Sequence, residues 1–181
     1  DRKTRTRRIM KPQPRQNDVG QWLWERKPGQ HISFHPLLDE RYYPGTKLQH
    51  VCPYGKPGDR LWVRETWARD DTDGALFYRA DPGNDWEINR NEGAAKYRWQ
   101  PSIFMPRSAA RITLKIIGVR VERLQNISED DAKAEGAIPW DDSPMRYRTG
   151  FECLWTQINA KRAPWASNPY VWVLEFKRIK L

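Results

Sequence analysis

The chain has 181 residues and a formal net charge of +9, with 32 Lys and Arg against 23 Asp and Glu, ten Trp and two Cys. That length fits one domain, and no window approaches the roughly 20 apolar residues of a membrane-spanning helix. Cys52 and Cys153 are too few for a disulfide framework or a zinc site, and no apolar signal core follows the basic start. The expectation is a soluble, cytoplasmic chain with no metal and no cofactor, both cysteines serving as small core residues.

Residues 1–30 hold nine Lys and Arg against three Asp and Glu, so most of the charge excess sits in the first sixth of the chain. A concentrated positive charge attracts phosphate backbones or anionic membrane surfaces, and a solvated basic arm is the alternative reading. Residues 9–46 are rich in Pro, Gly and Trp, with turn signals at Pro28-Gly29 and Pro44-Gly45, and read as loop with short strands. His31 and His35 have a helical metal-ligand spacing, but Pro36 and the absence of a third ligand argue against a metal site.

A turn through Pro53, Gly55, Pro57 and Gly58 leads into residues 59–68, which read as one strand. Leu61, Val63 and Trp67 share its apolar face with Glu65, an unusual place for a carboxylate. Glu65 is either paired to a buried Arg or a ligand contact. Residues 69–106 are polar and broken by Gly and Pro, acidic from Asp70 to Glu87. They read as an insertion carrying one hairpin, with Tyr97, Trp99 and Phe104 as core content.

The strongest β signal runs over 109–124, where Ile112, Leu114 and Ile116 alternate with polar residues. The apolar phase then slips by one to Val119 and Val121, which a β-bulge at Ile117-Gly118 would produce. A short helix over about 128–136 follows, with Ser128 as N-cap, Ile127 as staple and Gly136 at the C′ position. A second helix is expected over about 149–160. Thr149 and Glu152 form a capping-box pattern, and Phe151, Leu154, Trp155 and Ile158 make its core stripe. Residues 170–178, apolar on both faces at the start, read as a central closing strand.

Glu135 would be the last residue of its helix, where a carboxylate faces the negative end of the dipole at a cost of up to about 1 kcal/mol. Stability alone would place Lys or Arg there. Such a place also raises a carboxyl pKa, which suits proton transfer; a plain surface Glu is the competing reading. Lys3 and Thr6 would point to opposite faces of a plain strand, so a shared pocket requires the chain to turn between them. The Trp-rich stretches read mainly as core, with base stacking as the second reading.

These residues resemble the ASCH-domain family. Arg2–Arg8, RKTRTRR, is similar to its opening G-R-K-T-x-T-x-R motif. Gly58–Val63 is similar to its G-D-x-L-x-V strand, Ile127–Gly136 to its helix after the long strand, and Val173–Lys177 to its closing V-I-E-F-K strand. The four pieces occur in the family's order and cover about a third of the chain. The longer layout, with CPYGKPGDRLWVRETWA and many Trp, looks most like phage and prophage members.

The resemblance implies a mainly β (α+β) fold, a PUA-like β-barrel with two or more short helices, and a cleft facing nucleic acid. It implies a single ASCH domain with insertions at about 9–46 and 69–106. A strand and helix that family members carry ahead of the motif are then expected to be missing before Asp1. Small bacterial members hydrolyse the amide of N4-acetylcytidine, which carried over makes Lys3, Thr6 and Glu135 the catalytic residues. Arg8 matches a further family Arg, expected to hold the acyl oxygen. Lys3 would activate Thr6, or Thr6 would position a water, and Glu135 would protonate the departing amine. Arg2, Arg5, Arg7, Arg8 and Glu65 are expected to meet RNA or substrate. Three functions stay open: an amidohydrolase acting on an N4-acylated cytosine nucleoside, a non-catalytic RNA-binding module, and a metal-independent ribonuclease.

Overall fold

Two long strands, one of them apolar on both faces, and several short ones organise this chain. A computed structural model describes residues 3–19, 22–25, 31–34, 52–70, 72–82 and 98–179. It is mainly β, with nine strands and two α-helices among those residues. The strands are β1 (Arg5–Ile9), β2 (Arg15–Gln16), β3 (Trp22–Glu25), β4 (His31–Phe34), β5 (Arg60–Trp62), β6 (Trp67–Arg69), β7 (Leu76–Tyr78), β8 (Thr113–Arg123) and β9 (Tyr170–Ile179). The helices are α1 (Glu129–Ala134) and α2 (Arg146–Asn159).

Four antiparallel strands in the order β1-β9-β8-β5 curl into a half-barrel. β2-β3-β4 form a second antiparallel sheet and β6-β7 a hairpin. β9 is central, and Tyr170 to Leu174 are all buried, as its two-faced apolar start predicts. In β8 the buried residue moves from Ile116 to Val119 while Ile117 is exposed, the expected change of phase, but Thr113, expected on the polar face, is buried and Leu114, expected on the apolar one, is half-buried.

The chain divides into two compact units: Asp1–Asp59 with Lys115–Lys177, and Arg60–Leu114 with Arg178–Leu181. In the first, Leu124, Ile127, Phe151, Trp155, Val171 and Val173 form a buried cluster. Trp24 and Trp172, both fully buried, meet edge to face at 5.3 Å, and the Trp24 indole N–H donates to the Pro12 carbonyl at 2.9 Å. At the expected turn, Gly55 and Gly58 both have positive φ (117° and 98°), and a Cβ on Gly55 would lie 2.8 Å from Ile116 Cδ1. In the second unit Tyr78, Met105 and Ala109 make a small core against Trp62 and Trp67. No helix among the described residues is long and apolar enough to cross a membrane.

Several expectations are corrected. The single strand expected over 59–68 is two, β5 and β6, and residues 63–66 between them lie outside any strand. Phe104, expected in the core, is 68% exposed. The second helix starts at Arg146, three residues before the expected cap, and Thr149 is no cap: its hydroxyl donates back to the Met145 carbonyl at 3.2 Å. The capping group comes from outside the helix, as the Glu129 carboxylate accepts from the N–H groups of Tyr147 and Arg148 at 3.0 Å each. Ile158 leaves the core stripe and is 69% exposed. Arg2, His35, Tyr97, Pro28-Gly29 and Pro44-Gly45 lie outside the described residues.

Candidate functional site

Two hydrogen bonds place the start of the chain. The Thr4 N–H donates to the Ala134 carbonyl at 2.8 Å, satisfying one of the open carbonyls that end α1, and the Thr4 carbonyl accepts from Phe176 N–H at 2.9 Å. Lys3 and Thr4 therefore sit between the end of α1 and β9, ahead of β1, and Lys3 is not in strand geometry. The Thr4 carbonyl continues the β1–β9 register by one residue, and Lys3 precedes it beside the end of α1.

At the end of α1, Ser128 caps the first turn by accepting from Asp131 N–H, and Gly136 takes a φ of 83° just beyond Glu135. The Glu135 carboxylate, 3% exposed, meets the Lys3 ammonium at 3.3 Å and the Arg7 guanidinium at 3.3 Å. Burial raises its pKa above the ordinary glutamate value, and the charges of Lys3 and Arg7 oppose that rise. The direction matches the expectation from the helix end, but the principal cause is desolvation.

Lys3, Thr6 and Glu135 line one pocket of about 240 Å³ in the first unit, together with Arg7, Arg8, Lys11 and Tyr54 and, from the α2 side, Phe151, Leu154, Trp155, Ile158 and Arg162. Residues from both faces of β1 reach it, which the position of β1 at the edge of its sheet permits. The volume lies below the roughly 300–1,000 Å³ of pockets for drug-sized ligands, so it suits a small ligand. Its lining carries five cationic side chains and a single carboxylate.

The arginines of the opening motif divide by direction. Arg7, expected to face phosphate, has a fully buried side chain held by Glu122 (2.9 Å from Nε), Asp131 (2.7 Å from Nη2) and Glu135. Such a guanidinium cannot reach a nucleic-acid backbone. Arg5 is bound to Asp131 and Glu175, and Arg120 to Glu122 and Asp131. This lattice of alternating charges joins β1, β8, β9 and α1, and its buried members are mutually satisfied. Arg8 is exposed and lines the pocket. Glu65 is in the second unit, outside the pocket lining, and is paired to Arg111 at 2.8 and 3.0 Å; the expected ion pair is present, but its arginine is exposed and not buried.

Sequence reasoning missed Tyr54, Lys11 and Arg162. Tyr54 and Lys11 sit in segments read as turn and loop. Arg162 lies four residues beyond Ile158, so the α2 stripe continued past its apolar members would have found it. Comparison with family profiles, characterised proteins and solved structures gave no match for this chain.

Proposed function

We propose that this chain is a PUA-like, ASCH-type amidohydrolase that acts on an N4-acylated cytosine nucleoside or nucleotide. The observation that carries the reading is the pairing of Lys3 with the buried Glu135 carboxyl in a pocket that Thr6 also lines. Amide hydrolysis needs an activated water, a donor for the leaving amine and charge stabilisation at the acyl oxygen. A carboxyl whose pKa burial raises above the ordinary glutamate value is a stronger base than an ordinary glutamate and lies closer to the pH at which one group both takes and returns a proton.

In the proposed reaction, Thr6 positions a water and Glu135 takes its proton as its oxygen bonds to the acyl carbon. The C–N bond then breaks, and the cytosine amine leaves with the proton from Glu135. Lys3, whose side chain is 49% exposed, places its ammonium where negative charge gathers on the acyl oxygen. This assigns to Lys3 the role expected above for Arg8. Incubation with N4-acetylcytidine and, separately, with single-stranded RNA tests the reading by chromatography of the products. Release of cytidine and acetate, with intact RNA, is the expected result; cleaved RNA without cytidine release supports the ribonuclease reading instead.

A further inference from the structure

Among the described residues, three cations around this pocket have no carboxylate partner. Arg8, Lys11 and Arg162 line it and are exposed, and among the described residues none of the three makes an ion pair. In the same unit Lys3, Arg5, Arg7 and Arg120 are each matched to at least one carboxylate. Arg7, whose side chain is fully buried, is held by three carboxylates, while Arg8, Lys11 and Arg162 face the pocket without one among the described residues. They converge from two elements, Arg8 in β1 with Lys11 just after it, and Arg162 just after α2. The dipole of α2 favours a cation at that helix end, which accounts for Arg162 but not for Arg8 and Lys11. Like charges around one cavity repel each other, and an anion seated among them relieves that cost. A further group there suits a base: Tyr54, 40% exposed, lines the same pocket and offers a ring for stacking.

We propose that the pocket takes its substrate in phosphorylated form, as a nucleotide whose phosphate is held by Arg8, Lys11 and Arg162 while its base end points toward Lys3 and Glu135. This rests on reading the Lys3–Glu135 pocket as a substrate site. The phosphate belongs either to a free mononucleotide or to a residue of an RNA strand, and the chemistry of recognition is the same for both.

The test is calorimetric titration of the full chain with cytidine, cytidine 5′-monophosphate, cytidine 3′-monophosphate and a short single-stranded RNA. At least one monophosphate is expected to bind ten or more times tighter than the nucleoside, and the gain to shrink as salt rises. In the triple variant Arg8→Gln, Lys11→Gln, Arg162→Gln the ratio of nucleotide to nucleoside affinity falls to near one. The single charge reversal Arg162→Glu lowers the same ratio should the triple variant fold poorly. RNA binding tighter than either mononucleotide assigns the phosphate to a strand; equal or weaker RNA binding assigns it to a mononucleotide. Equal affinity for nucleoside and monophosphate, a gain that survives both variants, or no nucleotide binding at all overturns the proposal. An N4-acetylcytidine hydrolysis assay on the same protein separates the two readings. Hydrolysis with no phosphate gain removes only the phosphate site, and a phosphate gain without hydrolysis removes only the reaction.

Discussion

The Glu129 carboxylate, in the first turn of α1, accepts one hydrogen bond from Tyr147 N–H and one from Arg148 N–H at the start of α2, each at 3.0 Å. One side chain thus supplies the N-terminal cap of a neighbouring helix and ties the start of α2 to the first turn of α1. Glu129→Ala is expected to lower stability by about 1–2 kcal/mol, in the range of lost helix caps. Thermal unfolding checks this, and an unchanged midpoint would mean that α2 begins without this cap.

Arg7 tests the buried charge lattice. Its guanidinium touches Glu122, Asp131 and Glu135 and lies 5.8 Å from the Phe151 ring centroid. Removing one partner leaves buried charge uncompensated, so Arg7→Ala is expected to cost about 3–5 kcal/mol in urea unfolding. A loss below about 1 kcal/mol, the size of an exposed ion pair, would show that water fills the gap and that the lattice is weakly held.

The legibility of this chain follows the same division between local and long-range causes. Ser128 and Gly136 bounded α1 correctly because capping is chemistry within one turn, and β9 read as central because both its faces are apolar. Thr149 misled because its pattern is local while the true cap, Glu129, is 18 residues from Tyr147. Arg5 and Arg7 looked like a phosphate-facing cluster because charge alone does not reveal which arginines the sheet turns inward toward Asp131. That Lys3 and Glu135 share one site follows from the family resemblance and not from any local pattern. Sequence supplied the helix-end argument for Glu135, but desolvation, the larger effect on its pKa, is a property of the packed structure.

Gly150 offers a test by sign. In an open helix Gly→Ala stabilises by roughly 0.5–1 kcal/mol. Here a Cβ on Gly150 would clash with the Ile138 carbonyl oxygen, which is backbone and cannot turn aside. Gly150→Ala is expected to destabilise by about 1–3 kcal/mol, the scale of overpacking. A rise in the unfolding midpoint would contradict the close approach of these two segments.

The raised pKa of Glu135 has a consequence for folding. Its native carboxyl holds a proton more tightly than the unfolded one, whose value is near 4.5, so the native state binds more protons between the two values. The stability it contributes is present below the unfolded value and is lost as pH rises through the raised native value. Urea unfolding across the acidic to neutral range is expected to show the native protein losing stability relative to Glu135→Gln over that window. Curves that stay parallel would mean that Lys3 and Arg7 cancel the effect of burial.

The most direct measurement of the central claim is the rate of cytidine release from N4-acetylcytidine by the native chain and by Lys3→Ala and Glu135→Gln. The native protein is expected to release cytidine, and each variant to fall by about two or more orders of magnitude, the scale of a lost proton-transfer group, while still unfolding cooperatively. No release by the native protein, or undiminished release by both variants, would contradict the assignment of Lys3 and Glu135 as catalytic residues.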